Sequence, residues 1–261
     1  MVFNPFDYNE ANRHRRDSVE DRLREGSPVV GVSFDEGLLI LTVRRTQRKV
    51  FEIYDRIIYS AIGNQSDVEA IRVGAIDVAH KEGFDRSPDD VTTHRLVSFS
   101  LSPPLKRIFG DTFNAQPAVI RAMFGELGKN SEQDVFYVLN YDGEFSQSHG
   151  FAVVGGTQEA EDKMSLSLMG VSGKTTLKHA LDRGLNAWSA GAAETKRKFE
   201  ASDDDNEAVD EETAAKNVLR EELKLGTVEV GVLDRNTNRE SKFRLFGPAE
   251  LDGLLSSHRR E

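Results

Sequence analysis

From residue 28 onward, short apolar runs come in pairs and amphipathic stretches come between them. Residues 28–34 carry Val29, Val30 and Val32, and residues 37–43 carry Leu38, Leu39, Ile40 and Leu41. Asp35-Glu36-Gly37 between them is a tight-turn signal, so the two runs form a hairpin. Both are almost continuously apolar, which predicts strands covered on both faces. A third run, 49–53, leads into a fourth, 57–62. Gly63-Asn64-Gln65-Ser66 then breaks the pattern, and Ser66-x-x-Glu69 has the form of a capping box. The helix it opens runs to about Glu82, with Val68, Ile71, Ala75, Val78 and Ala79 on one face. A second helix is expected over 90–110, kinked or divided at Pro103-Pro104.

The second half repeats the alternation. Runs at 117–124 and 134–141 read as strands, and Asp142-Gly143 turns the chain into 144–147. A short buried strand at 151–154 ends at Gly155-Gly156, and Thr157 caps a helix to about Met169. After a loop at 170–173, a helix over 174–190 presents Leu177, Ala180, Leu181, Leu185 and Trp188. Strands at 228–233 and 242–245 and a closing helix at 249–255 complete the chain.

Strands in hairpins and helices in consecutive pairs do not fit a regularly alternating parallel sheet. They predict an α+β protein, an αββα four-layer sandwich with two antiparallel sheets between helix pairs. Two segments stand outside it. Residues 9–26 read as a polar helix whose apolar points are Ala11, Val19 and Leu23, a stripe expected to lie across a neighbour or front solvent. Residues 200–212 are acidic and poor in apolar residues, the composition of a solvated, mobile insertion. The organisation expected is an extension at 1–26, a domain at 27–255 and a tail at 256–261. No internal repeat is present.

Charge narrows the partners. The 261 residues carry a formal net charge of −10, which disfavours nucleic acid as a general partner. The basic clusters at 13–16 and 196–198 are short and flanked by acids, so they read as solvated surface. With no cysteine, disulfides, thiol catalysis and thiolate metal sites are excluded. The first 16 residues lack a signal-peptide core, and no run approaches the roughly 18 apolar residues of a membrane span. The expected location is the cytoplasm.

Motifs for chemistry are sparse. Residues 170–175, Gly-Val-Ser-Gly-Lys-Thr, end like a phosphate-binding loop, but Leu168 occupies the position of the required first glycine and a helix precedes it. The six histidines, at 14, 80, 94, 149, 179 and 258, show no metal-ligand spacing, and no G-x-S-x-G elbow occurs.

The ordered series itself resembles a family. Ser27 to Val32 followed by Asp35 to Leu41, then Lys49 to Asp55 followed by Ser60 to Gly63, is similar to the first strand pairs of proteasome subunits. The helix at 66–83 and the strands at 134–142, 151–156 and 228–234 continue the match. The resemblance implies an N-terminal-nucleophile hydrolase fold. In catalytic β-type subunits of that family, a free N-terminal nucleophile works with an acidic residue and a lysine. These positions fall at about Ser27, Val43 and Lys49. Ser27 lies behind 26 residues, and Val43 cannot ionise.

The resemblance therefore points to a bacterial-style α-type subunit with no catalytic residue and no cofactor. The region from Pro5-Phe6 through Arg13 is similar to the extension of such chains, with residues 1–9 as the gate. Lys49 is expected to line a pocket that takes the C-terminal carboxylate of a docking activator, with Gly63 as the close-approach glycine. Glu20 stands where some relatives have arginine. The partners implied are copies of itself in a heptameric ring, β-type subunits, an ATPase activator ring and unfolded protein substrates. Two alternatives stay open: an autoprocessed peptidase using Ser27, and a ring that assembles without a β partner.

Overall fold

The computed structural model describes residues 5–111, 115–200 and 211–254. The first half of the chain closes two hairpins onto each other. One sheet contains β1 (Val29–Phe34) and β2 (Gly37–Arg44), the other β3 (Phe51–Tyr54) and β4 (Ile57–Gly63). Later strands extend both. β5 (Ile120–Glu126), β6 (Val135–Asn140) and β7 (Phe145–Ser148) add to the β3–β4 pair, in the order β3-β4-β5-β6-β7. β8 (Phe151–Val154), β9 (Thr227–Asp234) and β10 (Phe243–Leu245) flank the other pair, in the order β10-β9-β2-β1-β8. Every pairing is antiparallel. The expected α+β sandwich is the architecture found.

Register explains why β1 and β2 are almost continuously apolar. Val30 faces Leu41 and Val32 faces Leu39, and β2 passes the rows on to Val230 and Val232 of β9. These side chains pack outward, against α5 (Gln158–Leu168), α6 (Leu177–Glu200) and α7 (Glu211–Leu225). The alternate residues, Val29, Leu38 and Ile40, point inward to Ile58, Phe124 and Phe136 of the second sheet. Both faces of the strands are therefore spent on packing, at about 1.5–3 kcal/mol for each fully buried aliphatic side chain. On the far side of the second sheet lie α2 (Gln65–Asp85), the short α3 (Thr93–Arg95) and α4 (Ser102–Gly110).

Four local expectations are corrected. The N-terminal helix α1 (Pro5–Leu23) does bury its thin stripe: Val19 is 1% exposed and Leu23 0%, both within the inter-sheet core. The stripe suffices because it needs only its last turn to touch β4. The helix cap falls two residues before Ser66, at Asn64, with no side-chain cap bond, so Ser66 lies inside the helix. The stretch 90–110 is not one helix. It comprises a 3-10 turn (Pro88–Asp90), α3, a π-helical stretch (Leu96–Leu101) and α4, whose first turn accommodates the two prolines. α6 starts at Leu177 and runs past Ala190 to Glu200, and α7 follows where no helix was expected. α8 (Pro248–Leu254) closes the described chain as anticipated. Residues 1–4 of the expected gate, residues 201–210 of the acidic insertion and the C-terminal tail lie outside the described residues, while residues 5–9 of the expected gate begin α1.

Candidate functional site

The end of the sandwich where β1 begins and β2 and β4 finish opens into a cleft of about 700 Å³. Ser27, Val43, Lys49 and Gly63 all line it, so the positions singled out in the sequence converge. Trp188 reaches in from α6, and the end of α1 supplies Arg22 and Arg24. Among the lining residues seven are cationic and three acidic, in a chain whose formal charge is −10.

Each element places its side chain for a local reason. Lys49 follows an exposed four-residue turn, and its backbone is pinned: the amides of Lys49 and Val50 donate to the Glu229 carboxylate at 3.1 Å. Glu229 is only 6% exposed and also takes Arg44 Nε at 3.0 Å. The Lys49 ammonium is thus fixed at its base, and it donates to the Ser27 carbonyl at 3.4 Å. Burial pulls its pKa down to about 8, against the raising influence of Glu229.

Gly63 ends β4 at φ +131°, and a Cβ there would run into the Val119 carbonyl oxygen. That carbonyl accepts the Asn64 amide at 2.8 Å, closing the strand edge where the cleft begins. Only glycine takes this conformation without strain.

Ser27 is committed elsewhere. Its hydroxyl donates to the Val43 carbonyl at 2.7 Å and accepts the Trp188 indole N–H at 3.3 Å. Thr42 lies 3.3 Å away but spends its own proton on the Pro28 carbonyl at 2.7 Å. Each hydroxyl has one proton, and both are used. Among the described residues no histidine, carboxylate or amine bonds to Ser27 Oγ, whose partners are the Val43 carbonyl, the Trp188 indole and the Thr42 hydroxyl, and the Ser27 nitrogen is a peptide nitrogen. The Val43 side chain belongs to the outward-facing core, away from any role in orienting a lysine.

Glu20 does not line the cleft; its carboxylate accepts the Tyr141 hydroxyl at 2.9 Å. Arg22, two positions on, does line it, and its guanidinium donates to Asn64 Oδ1 at 3.1 Å. The sequence carried no signal for Arg22; it is the burial of the next residue, Leu23, at 0% exposure that fixes this turn of the helix. Among the described residues no group of side chains is arranged to hold a metal ion, and no helix is long and apolar enough to cross a membrane.

An αββα sandwich whose nucleophile position is locked in hydrogen bonds, beneath a cationic cleft, is the class of protein that the fold and site define. No protein-family model matches the chain. Curated relatives do. A proteasome subunit alpha of Xylanimonas cellulosilytica is 30% identical over 248 residues, 94% of this chain and 93% of that protein. One from Kineococcus radiotolerans is 28% identical over 249 residues, with the same coverage of 94% and 93%. One from Jonesia denitrificans is 33% identical over 150 residues, 57% of this chain and 62% of its own length. The chain belongs to the proteasome α-subunit family.

Proposed function

We propose that this chain is the non-catalytic α-type subunit of a cytoplasmic proteasome core. It forms a heptameric ring that stacks on β-type subunits, and those partners carry the threonine-type peptide hydrolysis. Residues 1–9 gate the pore, residues 27–255 form the ring-building domain, and unfolded proteins pass through. An ATPase activator docks by placing its C-terminal carboxylate against Lys49, beside the close-approach backbone at Gly63.

The observation that supports docking is the state of Lys49. Its ammonium lines a cleft with a cationic excess, and among the described residues no carboxylate lies within 4 Å of it. A lysine held half-buried without a counter-ion favours an anionic ligand. The locked hydroxyl of Ser27 supports the non-catalytic assignment.

The test reconstitutes the chain with a β-type partner and an ATPase activator. Lys49→Ala should leave assembly and small-peptide hydrolysis in place and abolish ATPase-stimulated protein degradation. Unchanged degradation would remove Lys49 from docking. A chain beginning at Ser27 by intact mass, cleaving peptides alone, would overturn the non-catalytic assignment.

A further inference from the structure

We propose that the Lys49 amine is a carbamylation site, where dissolved carbon dioxide adds reversibly to the protein and turns a cation into an anion. The proposal concerns the amine and the charges around it, and it stands whether or not a carboxylate docks there.

Carbon dioxide needs a neutral amine that it can reach. Lys49 lines the cleft of about 700 Å³, so its side chain faces open volume. Glu229 holds the amides of Lys49 and Val50, which fixes the point from which that side chain starts. Among the described residues the ammonium bonds only to the Ser27 carbonyl, at a long 3.4 Å, and no carboxylate lies within 4 Å of it. Half-burial strips water from the ammonium and draws its pKa down to about 8. At neutral to mildly alkaline pH a sizeable fraction of such a lysine is neutral, roughly a quarter at about pH 7.5, against about 0.1% of an ordinary one.

The surroundings carry the cationic excess that a new anion would balance. Arg44 and Arg48 approach the same Glu229 carboxylate, at 3.0 and 3.9 Å, and Glu229 also acts on the Lys49 ammonium. One carboxylate thus stands against three cations. Converting the ammonium to a carbamate sets two anions against two cations. The other charges at the cleft are largely paired among themselves. Arg45 meets Glu222 at 2.9 Å, Lys196 meets Glu221 at 3.1 Å, Arg24 meets Asp21 at 3.1 Å, and Glu69 meets Arg72 at 2.7 Å. Arg22, bonded to Asn64 with no carboxylate within 4 Å among the described residues, and the exposed Glu25 complete the set.

In the reaction the lone pair of neutral Nζ attacks the carbon of carbon dioxide. An N–C bond forms, and one C=O pair moves onto oxygen. One nitrogen proton passes to water in the open cleft, so amine and carbon dioxide give carbamate and a proton, with no change of oxidation state. The N–H that remains keeps the Ser27 carbonyl within reach as acceptor. Since the group passes from positive to negative, rising carbon dioxide lowers the preference of the cleft for anions.

The test equilibrates the full-length chain at about pH 7.5 with carbon-13-labelled bicarbonate and its carbon dioxide. The carbamate carbon is observed by NMR, and it is trapped as an ethyl ester with triethyloxonium for peptide mapping. Besides the signal of the terminal α-amine, which titrates near 8 in any chain, one further carbamate is expected, its label on the peptide that contains Lys49. Lys81, exposed and paired with Asp85 at 2.7 Å, should stay unlabelled. Lys49→Gln should abolish the further signal. Arg48→Gln, which removes one cation from around Glu229, should lower its occupancy about five-fold at fixed carbon dioxide, the value of one solvent-accessible ion pair at the upper end of its range. Absence of the further signal, label spread evenly over the exposed lysines, or a signal that survives Lys49→Gln overturns the proposal. Equal occupancy in Arg48→Gln and the unaltered chain overturns it as well, because the cationic excess is its basis.

Discussion

The backbone amide of Lys49 donates to the carboxylate of Glu229, 180 residues further along the chain. Through this bond β9 of one sheet holds the turn that leads into β3 of the other. The same carboxylate anchors Val50 and Arg44, so one buried acid sets the base of the cleft.

Removing that acid should be costly. Glu229→Ala leaves two amides and a guanidinium without their acceptor, and a loss of about 3–5 kcal/mol is expected in urea unfolding. Glu229→Gln, which keeps an acceptor oxygen, should recover part of it. Since Glu229 raises the Lys49 pKa, both variants should lower it further below about 8. Titration of Lys49 by NMR would detect the change.

Lys49 should make stability depend on alkaline pH. Folding moves its pKa from 10.5 to about 8. Between these values the unfolded chain binds more protons than the folded one, so unfolding free energy rises with pH across the window. The slope from this group is at most ~1.4 kcal/mol per pH unit. Below about 8 the penalty is fully present. Lys49→Met should therefore be more stable than the unaltered chain at neutral pH, with the gap closing by pH 10.5. A gap that stays constant with pH would contradict this origin.

Gly63→Ala should disturb one strand end rather than the whole fold. The φ of +131° and the Val119 carbonyl both oppose a Cβ. A loss of about 1–3 kcal/mol is expected. The Asn64 amide, bonded to Val119, should exchange with solvent faster, while amides in the middle of β4 keep their protection.

The N-terminal helix rests on few contacts, and each should register. Leu23→Ala should cost about 2–5 kcal/mol, because the side chain is wholly buried between α1 and the sheets. Tyr141→Phe removes the hydroxyl that Glu20 accepts and should cost about 1 kcal/mol. Burial and the Glu20 carboxylate both push the Tyr141 pKa up, so alkaline titration should not release this contact before the fold itself yields. Proteolysis after α1 should speed up in both variants.

The hairpins were legible because their turns are chemically explicit. Asp35 and Glu36 do separate β1 from β2, and Gly143 takes φ +82° between β6 and β7. The stacked sheets were legible because β1 and β2 are apolar on both faces. α7 was not, since its first residues continue the acidic composition of the segment before it, and only Val218, Leu219 and Leu223 mark its buried face. The burial of α1 was hidden for the opposite reason. A stripe too thin for a whole helix is enough when only Val19 and Leu23 must be covered. Of the cleft, Lys49 and Gly63 could be placed through family resemblance. Arg22 could not, because its isolation from carboxylates depends on which acids its neighbours take up in three dimensions.

Trp188 gives the cleft a built-in optical reporter. It is the single tryptophan of the chain, it is 1% exposed, and its indole N–H reaches the Ser27 hydroxyl at the cleft floor. All indole emission from this chain therefore originates beside Lys49, and a ligand bound in the cleft would change the field and hydration around one chromophore. Occupancy of the cleft can be followed by intrinsic fluorescence, without a label and without altering any residue of the chain.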